Sequence, residues 1–233
     1  MKGILEVNSI VKNYSERDHI LKGISLNFEA GTFNVLLGQS GSGKSTLLNI
    51  MSGLLKPTSG IILINNQDIN IIKENQLAAL RRNIISNIYQ DYMLLSELTV
   101  QENIELGMGK NNLNLKEIVN KLGIASLLDK YPDELSGGQK QRTAIARAII
   151  KKPELLFCDE ATGALDEENS KQVIELLHDI IKTYGITVIF ATHNLKISLT
   201  ADRVITIGNG KIVQDKHNKT PLLPSDIDWG INI

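Results

Sequence analysis

The chain has a single cysteine, Cys158, and only four histidines in 233 residues. One thiol excludes an intramolecular disulfide framework, and so few scattered histidines argue against a zinc site. Long apolar runs are also missing. Stretches such as 61–64 fall far short of the roughly 18 residues that a spanning helix needs. The start, Met1-Lys2-Gly3-Ile4-Leu5-Glu6, lacks a signal-peptide core, so the expectation is a cytoplasmic chain that crosses no membrane by itself. Nor is there an excess of either charge. Twenty-five Lys and Arg against 26 Asp and Glu leave a net charge of −1, which excludes a global field drawing in nucleic acid or an anionic membrane. With 42% hydrophobic and 22% charged residues, the chain has the composition of a folded, soluble protein. At ~150 residues per domain, its length implies one large domain or a core carrying a subdomain.

What is present is patterning. In the first third, Ile24, Leu26 and Phe28 recur every second residue, 33–37 is a mostly apolar run ending at glycine, and 60–64 follows the turn signal Pro57-Thr58-Ser59. These read as strands. Residues 74–130 are polar and Asn-rich, with helix-like pieces over 76–82 and 115–122 interrupted by Gly107, Gly109 and Gly123, and the expectation is a mostly helical insert. A helix over 139–152 stops at Pro153, and a strand over 155–158 follows. Val173, Leu176, Leu177, Ile180, Ile181 and Tyr184 then mark one helix face, ended by Gly185. A strand over 186–191 and a hairpin of 203–207 with 211–214 around Gly208-Asn209-Gly210 complete the pattern. The fold class expected is α/β: a mainly parallel, helix-covered sheet with an antiparallel β subdomain and a helical subdomain over about 91–150. The domain is placed at 3–214. The tail 215–233, which holds Pro221, Pro224 and the only tryptophan, Trp229, is expected to be frayed or docked.

Three motifs carry chemistry. Gly38-Gln39-Ser40-Gly41-Ser42-Gly43-Lys44-Ser45 fits the phosphate-loop pattern. Its glycines let backbone N–H groups curl around a polyphosphate, Lys44 reaches the β- and γ-phosphates, and Ser45 supplies a hydroxyl ligand to Mg²⁺. A strand precedes the loop and a helix follows from Thr46, which is the setting the motif requires. Next, Leu155-Leu156-Phe157-Cys158-Asp159-Glu160 is an apolar strand ending in two carboxylates. Asp159 is the candidate Mg²⁺ ligand, and Glu160 the base that orients and deprotonates water. Finally, Leu135-Ser136-Gly137-Gly138-Gln139 lies one helix ahead of that strand. It can be read as a glycine helix entry capped by Ser136, or as a second phosphate site of backbone N–H groups, hydroxyl and helix N-terminus. One nucleotide has no evident use for two such loops from the same chain.

With these motifs the sequence resembles the ATP-binding cassette (ABC) ATPases over roughly residues 3–214. The resemblance implies a P-loop NTPase core in which two cassettes pack head to tail, each ATP lying between the phosphate loop of one copy and Ser136-Gly137-Gly138-Gln139 of the other. It implies ATP hydrolysis with Mg²⁺, held by Ser45, Asp159 and Gln90, and it includes Thr46 among the nucleotide-binding residues. It also implies that Gln90 reports to a membrane partner, that Asp166, in Gly163-Ala164-Leu165-Asp166, crosses the dimer interface, and that His193 and Lys44 stabilise the transferring phosphoryl group. Tyr14 would stack on adenine; alternatively, it packs in the β part.

Within the family, Tyr131-Pro132-Asp133-Glu134 and Ala161-Thr162-Gly163-Ala164-Leu165-Asp166 are similar to the macrolide-export, lipoprotein-release and antimicrobial-peptide-resistance branch. Ala161 departs from it, since proline is usual after the glutamate. The expected partners are a second copy and an integral membrane permease subunit, with no nucleic acid. The expected location is the cytoplasmic face of the membrane, as a peripheral subunit. A repair or translation ATPase would need a coiled coil or tandem cassettes. The alternative that stays open is the same ATPase driving a non-transport membrane complex in cell-wall regulation or signalling.

Overall fold

A computed structural model describes residues 3–15 and 18–230. The elements run β1 (Gly3–Asn13), β2 (His19–Glu29), β3 (Phe33–Leu37), α1 (Lys44–Met51), β4 (Ser59–Ile64), β5 (Gln67–Asp68), α2 (Glu74–Asn83), β6 (Ile85–Tyr89), α3 (Val100–Glu105) and α4 (Leu115–Lys121). They continue with α5 (Gly137–Ile149), β7 (Leu155–Asp159), α6 (Glu167–Tyr184), β8 (Thr187–Thr192), α7 (Leu195–Ser198), β9 (Arg203–Gly208) and β10 (Lys211–His217).

Two sheets result. A six-stranded sheet has the order β10-β9-β3-β8-β7-β6, all neighbours parallel except β10 with β9, and a four-stranded antiparallel sheet has the order β2-β1-β4-β5. The α/β expectation with a mainly parallel sheet and an antiparallel β part agrees with this architecture. The central strands are covered on both faces, so they alternate between two cores rather than between core and solvent. Leu156, Cys158, Val188 and Phe190 join Val173, Ile174 and Leu177 of α6 and Ile145 and Ile149 of α5 in one core. Leu155, Phe157, Ile189 and Ala191 face the other way, toward Leu47, Ile50 and Met51 of α1 and the inner face of the antiparallel sheet. Helix α1 thus lies between the two sheets, with the phosphate loop at its entry.

The structure departs from the sequence reading at β6. Residues 85–89 fall in the stretch expected to be a mostly helical insert, yet they form an edge strand paired only with β7. Its polar residues hid it: Ser86 is buried and spends its hydroxyl on Ala148 O at 2.5 Å, so a central-looking apolar run never forms. Strand β10 also runs past 214, to His217, so the tail begins inside a strand. Beyond it the chain docks: Ile227 and Trp229 belong to the larger core. Elsewhere local chemistry accounts for the boundaries. Gly185 ends α6 at φ +70, and Asn209 and Gly210 make the β9–β10 turn at φ +48 and +75.

Candidate active site

Parallel register brings four strand ends to one edge. Leu37 pairs with Thr192, Asp159 with Ala191, and Tyr89 with Asp159, so Gly38, Glu160, His193 and Gln90 leave the sheet side by side. Ligands bind outside such carboxyl ends in open α/β sheets. A cavity of about 440 Å³ opens there, walled by Ser40, Gly41 and 43–46 of the phosphate loop together with Gln90, Glu160, Gly163 and His193, and by Ile20 from β2.

The loop needs its glycines. Gly41 and Gly43 sit at φ +76 and +105, where side-chain-bearing residues are strained. Gly38 lies so close to Ile207 O that a Cβ would collide with it. Lys44 opens α1 with 5% of its surface exposed; its Nζ donates to Gly38 O at 2.7 Å and Gln39 O at 3.0 Å and lies 3.8 Å from Glu160 Oε1. Ser42 Oγ is buried without a hydrogen-bond partner. A curled loop, a buried cation and an unsatisfied hydroxyl fit a polyphosphate, which would supply the missing acceptors. Gln39 and Ser42 line an adjoining cavity with Ile207 and Asn209.

Ser45 Oγ donates to Asp159 Oδ1 at 2.9 Å. Burial pushes the Asp159 carboxyl above its ordinary range and the charge of Glu160 adds to this, while the Ser45 hydrogen bond and Lys44 oppose it. Hydroxyl and carboxylate are the hard oxygen donors that Mg²⁺ prefers. Among the described residues no group of three or more His, Cys, Asp or Glu could hold a metal by itself.

Glu160 follows at φ +48, an unfavourable conformation for a residue with a side chain. The turn is held by Glu160 N to Ala191 O (3.0 Å) and Gly163 N to Glu160 O (2.8 Å). Its carboxylate meets His193 Nδ1 at 3.1 Å through Oε1 and Thr192 Oγ1 at 3.5 Å through Oε2. Gln90 packs its amide on Gly163, where a Cβ would approach Nε2 to 3.1 Å. Cys158, just before the acidic pair, is wholly buried and its thiol is pushed far up by that burial.

The other expected site residues lie outside this cavity. Ser136 caps α5, accepting from Gln139 N at 3.3 Å and donating its own N–H to Gln139 Oε1 at 2.9 Å. None of Ser136, Gly137, Gly138 and Gln139 lines the cavity. Asp166 caps α6 through Asn169 N at 2.8 Å, and Asn169 sits so close to Gly138 that a Cβ there would collide with it. Two helix N-termini, one bearing the Ser-Gly-Gly-Gln segment and one bearing Asp166, thus stand together. Tyr14 is 59% exposed, with Lys12 Nζ 5.1 Å from its ring centre, so it is not packed into the β part. Sequence reasoning missed Ile20 and Thr192. Ile20 reads as an ordinary strand residue, and Thr192 gains its role only because it sits beside Glu160 across the sheet.

Fold and cavity together define a phosphate-loop ATPase. The ABC transporter family profile matches residues 21–163, and the chain belongs to that family. It is 38% identical over 224 residues to the bacitracin export ATP-binding protein BceA of Halalkalibacterium halodurans, covering 92% of this chain and 88% of that protein. It is 42% identical over 234 residues to a putative ABC transporter ATP-binding protein of Mycoplasma pneumoniae, covering 97% of this chain and 50% of that protein. The chain thus spans about half the length of that mycoplasmal relative and of its counterpart in Mycoplasma genitalium. Among solved structures, a bacterial ABC transporter cassette determined as a dimer superimposes with a TM-score of 0.83 at 31% identity, covering 91% of this chain and 98% of that one. The same cassette has been solved in a post-hydrolysis state bound to ADP and phosphate.

Proposed function

We propose that this chain is the ATP-hydrolysing subunit of an ABC transporter, that it works as a head-to-tail dimer, and that it drives a separate membrane-spanning subunit in export. One observation carries the reading. The chain has two phosphate-binding helix entries, Gly43–Lys44 and Ser136–Gly137, and only the first lines the cavity that holds Glu160. In this reading the second serves a nucleotide elsewhere, and a symmetric pair would satisfy both at once. The dimeric relative and the export relative support the pairing and the direction. No helix among the described residues is long and apolar enough to cross a membrane.

In this reading Lys44 and the loop N–H groups bind the β- and γ-phosphates, and Tyr14 stacks on adenine. Ser45, Asp159 and Gln90 would hold Mg²⁺, which when bound would supply positive charge beside the phosphate oxygens. Glu160 Oε1 takes the proton of the attacking water. His193 and Lys44 stabilise the phosphoryl oxygens, and Ser136–Gln139 of the second copy close the site, with Asp166 beside them at the interface.

The test is assembly of the Glu160→Gln protein on size exclusion. It should be a monomer alone and a dimer with Mg²⁺ and ATP, and adding Ser136→Arg should return it to a monomer. A double variant that dimerises as readily as Glu160→Gln would refute the composite site. Reconstitution with the co-purifying membrane protein tests the rest: solute movement supports transport, and stimulated ATPase without movement supports a signalling complex.

A further inference from the structure

Residues 218–230 carry no motif, yet they are firmly seated. Asn218 N donates to Asp202 O at 2.7 Å and Leu222 N to Leu199 O at 3.0 Å, which ties the segment to the turn after α7. Pro224, Ile227 and Trp229 are buried, and Trp229, 3% exposed, donates Nε1 to Pro224 O at 2.8 Å. The short turn Pro224–Asp226 packs on α6.

The segment leads to the catalytic loops. Gly230 has φ +76, and a Cβ there would come within 2.9 Å of Glu167 Oε2 and 3.2 Å of Lys196 Nζ. Its backbone is therefore seated against both members of the Glu167–Lys196 ion pair, which are 3.3 Å apart. Glu167 directly follows Asp166, and Lys196 lies in α7, three residues after His193. A second cavity, of about 350 Å³, adjoins the first, and its walls include Glu160, Ser170, Thr192, His193, Lys196 and Trp229.

We propose that Trp229 and Gly230 form a brace that positions the His193 loop, and through it Glu160, for hydrolysis. Glu160 holds an unfavourable backbone conformation, which persists only where its surroundings impose it. Those surroundings form a chain of contacts. Glu160 meets Thr192 and His193; Asn194 N donates to Thr192 Oγ1 at 3.0 Å; Lys196 N donates to Asn194 Oδ1 at 2.9 Å; Lys196 Nζ reaches Glu167. The Lys196–Glu167 pair is partly exposed, so by itself it holds the loop weakly. Seating the Gly230 backbone against it, anchored by the buried indole of the preceding residue, supplies the rigidity that a catalytic group needs from its supporting residues.

The inference rests on Glu160 and His193 acting in hydrolysis, and Glu160→Gln tests that separately: a Glu160→Gln protein with undiminished turnover removes the reading itself. The brace is tested in the full chain by two measurements. First, Trp229→Ala should lower kcat about tenfold or more while KM for ATP with Mg²⁺ changes less than about twofold, because binding uses the phosphate loop and positioning does not. Trp229→Phe, which refills most of the space, should restore kcat to within about twofold. A Trp229→Ala protein with a lowered melting temperature but unchanged kcat would make the indole a core filler and overturn the proposal. Second, Trp229 is the only tryptophan, so the fluorescence of the otherwise native protein reports on it directly. Emission should be that of a buried indole and should keep its position when ATP and Mg²⁺ are added to Glu160→Gln, as a rigid support requires. A red shift toward the emission of an exposed indole in the nucleotide-bound dimer overturns the brace even if Trp229→Ala fails to fold.

Discussion

Replacing Glu160 with glutamine separates the chemistry of the site from its architecture. The amide keeps the shape and the φ of +48, so whatever strain the turn stores is shared by both proteins. What changes is charge. Glu160 Oε1 lies 3.8 Å from Lys44 Nζ and 3.1 Å from His193 Nδ1. At an effective dielectric of about 20, the Lys44 pair corresponds to a gross attraction of about 4 kcal/mol, most of it offset by desolvation of the buried ammonium. Lys44 also keeps Gly38 O and Gln39 O as acceptors, so the nucleotide-free variant should lose only about 1–2 kcal/mol. For a chain of this length that is a melting-temperature drop of about 2–8 °C. In the bound state the sign reverses. Burial raises the Asp159 carboxyl and the negative charge of Glu160 adds to this; the same charge opposes an incoming polyphosphate, so its loss should tighten ATP binding. Hydrolysis loses its base and should slow by about 10²- to 10⁴-fold. Phosphate release measures the rate, and equilibrium dialysis with labelled ATP measures the affinity. Turnover within tenfold of the parent, or weaker ATP binding, would refute the assignment of Glu160 as the base facing the phosphate.

Two further outcomes follow from the same geometry. His193→Ala should reduce kcat by about 10²-fold with little change in ATP affinity, because His193 is hydrogen-bonded to Glu160 at the wall of the cavity; a rise in KM without loss of kcat would place His193 in binding instead. Asp215 is held below the usual carboxylate range mainly by its hydrogen bonds from Arg203, at 2.7 and 2.6 Å. A carboxyl lowered on folding contributes stability that is full above its unfolded pKa of about 3.9 and is lost as pH falls through the folded value. The melting-temperature gap between the parent and Asp215→Asn should therefore be widest near neutrality and close below about pH 4; a gap that stays constant through that range would refute the linkage.

How much of this was legible in the sequence follows from what each feature depends on. The phosphate loop was readable because its chemistry is backbone chemistry: glycines at 41 and 43 are required by positive φ wherever the loop folds. Strand β7 was readable because a strand covered on both faces must be apolar along its whole length, which leaves the carboxylates at its end conspicuous. Strand β6 was not, because an edge strand has one neighbour, and Ser86 and Asn87 can be polar once a side-chain bond to Ala148 O is available. That bond belongs to α5, far along the chain, so no local window contains it. The same holds for Trp229. A lone tryptophan near a chain terminus is compatible with fraying or docking, and what decides between them is the surface offered by α6 and the His193 loop. The two phosphate-binding helix entries are the opposite case. Each is fully visible in the sequence, and folding leaves the Ser136 entry outside the cavity that holds Glu160. In the proposed dimer, a second copy's phosphate loop would bring a nucleotide to the N-terminus of α5, which the cavity of one chain leaves unused.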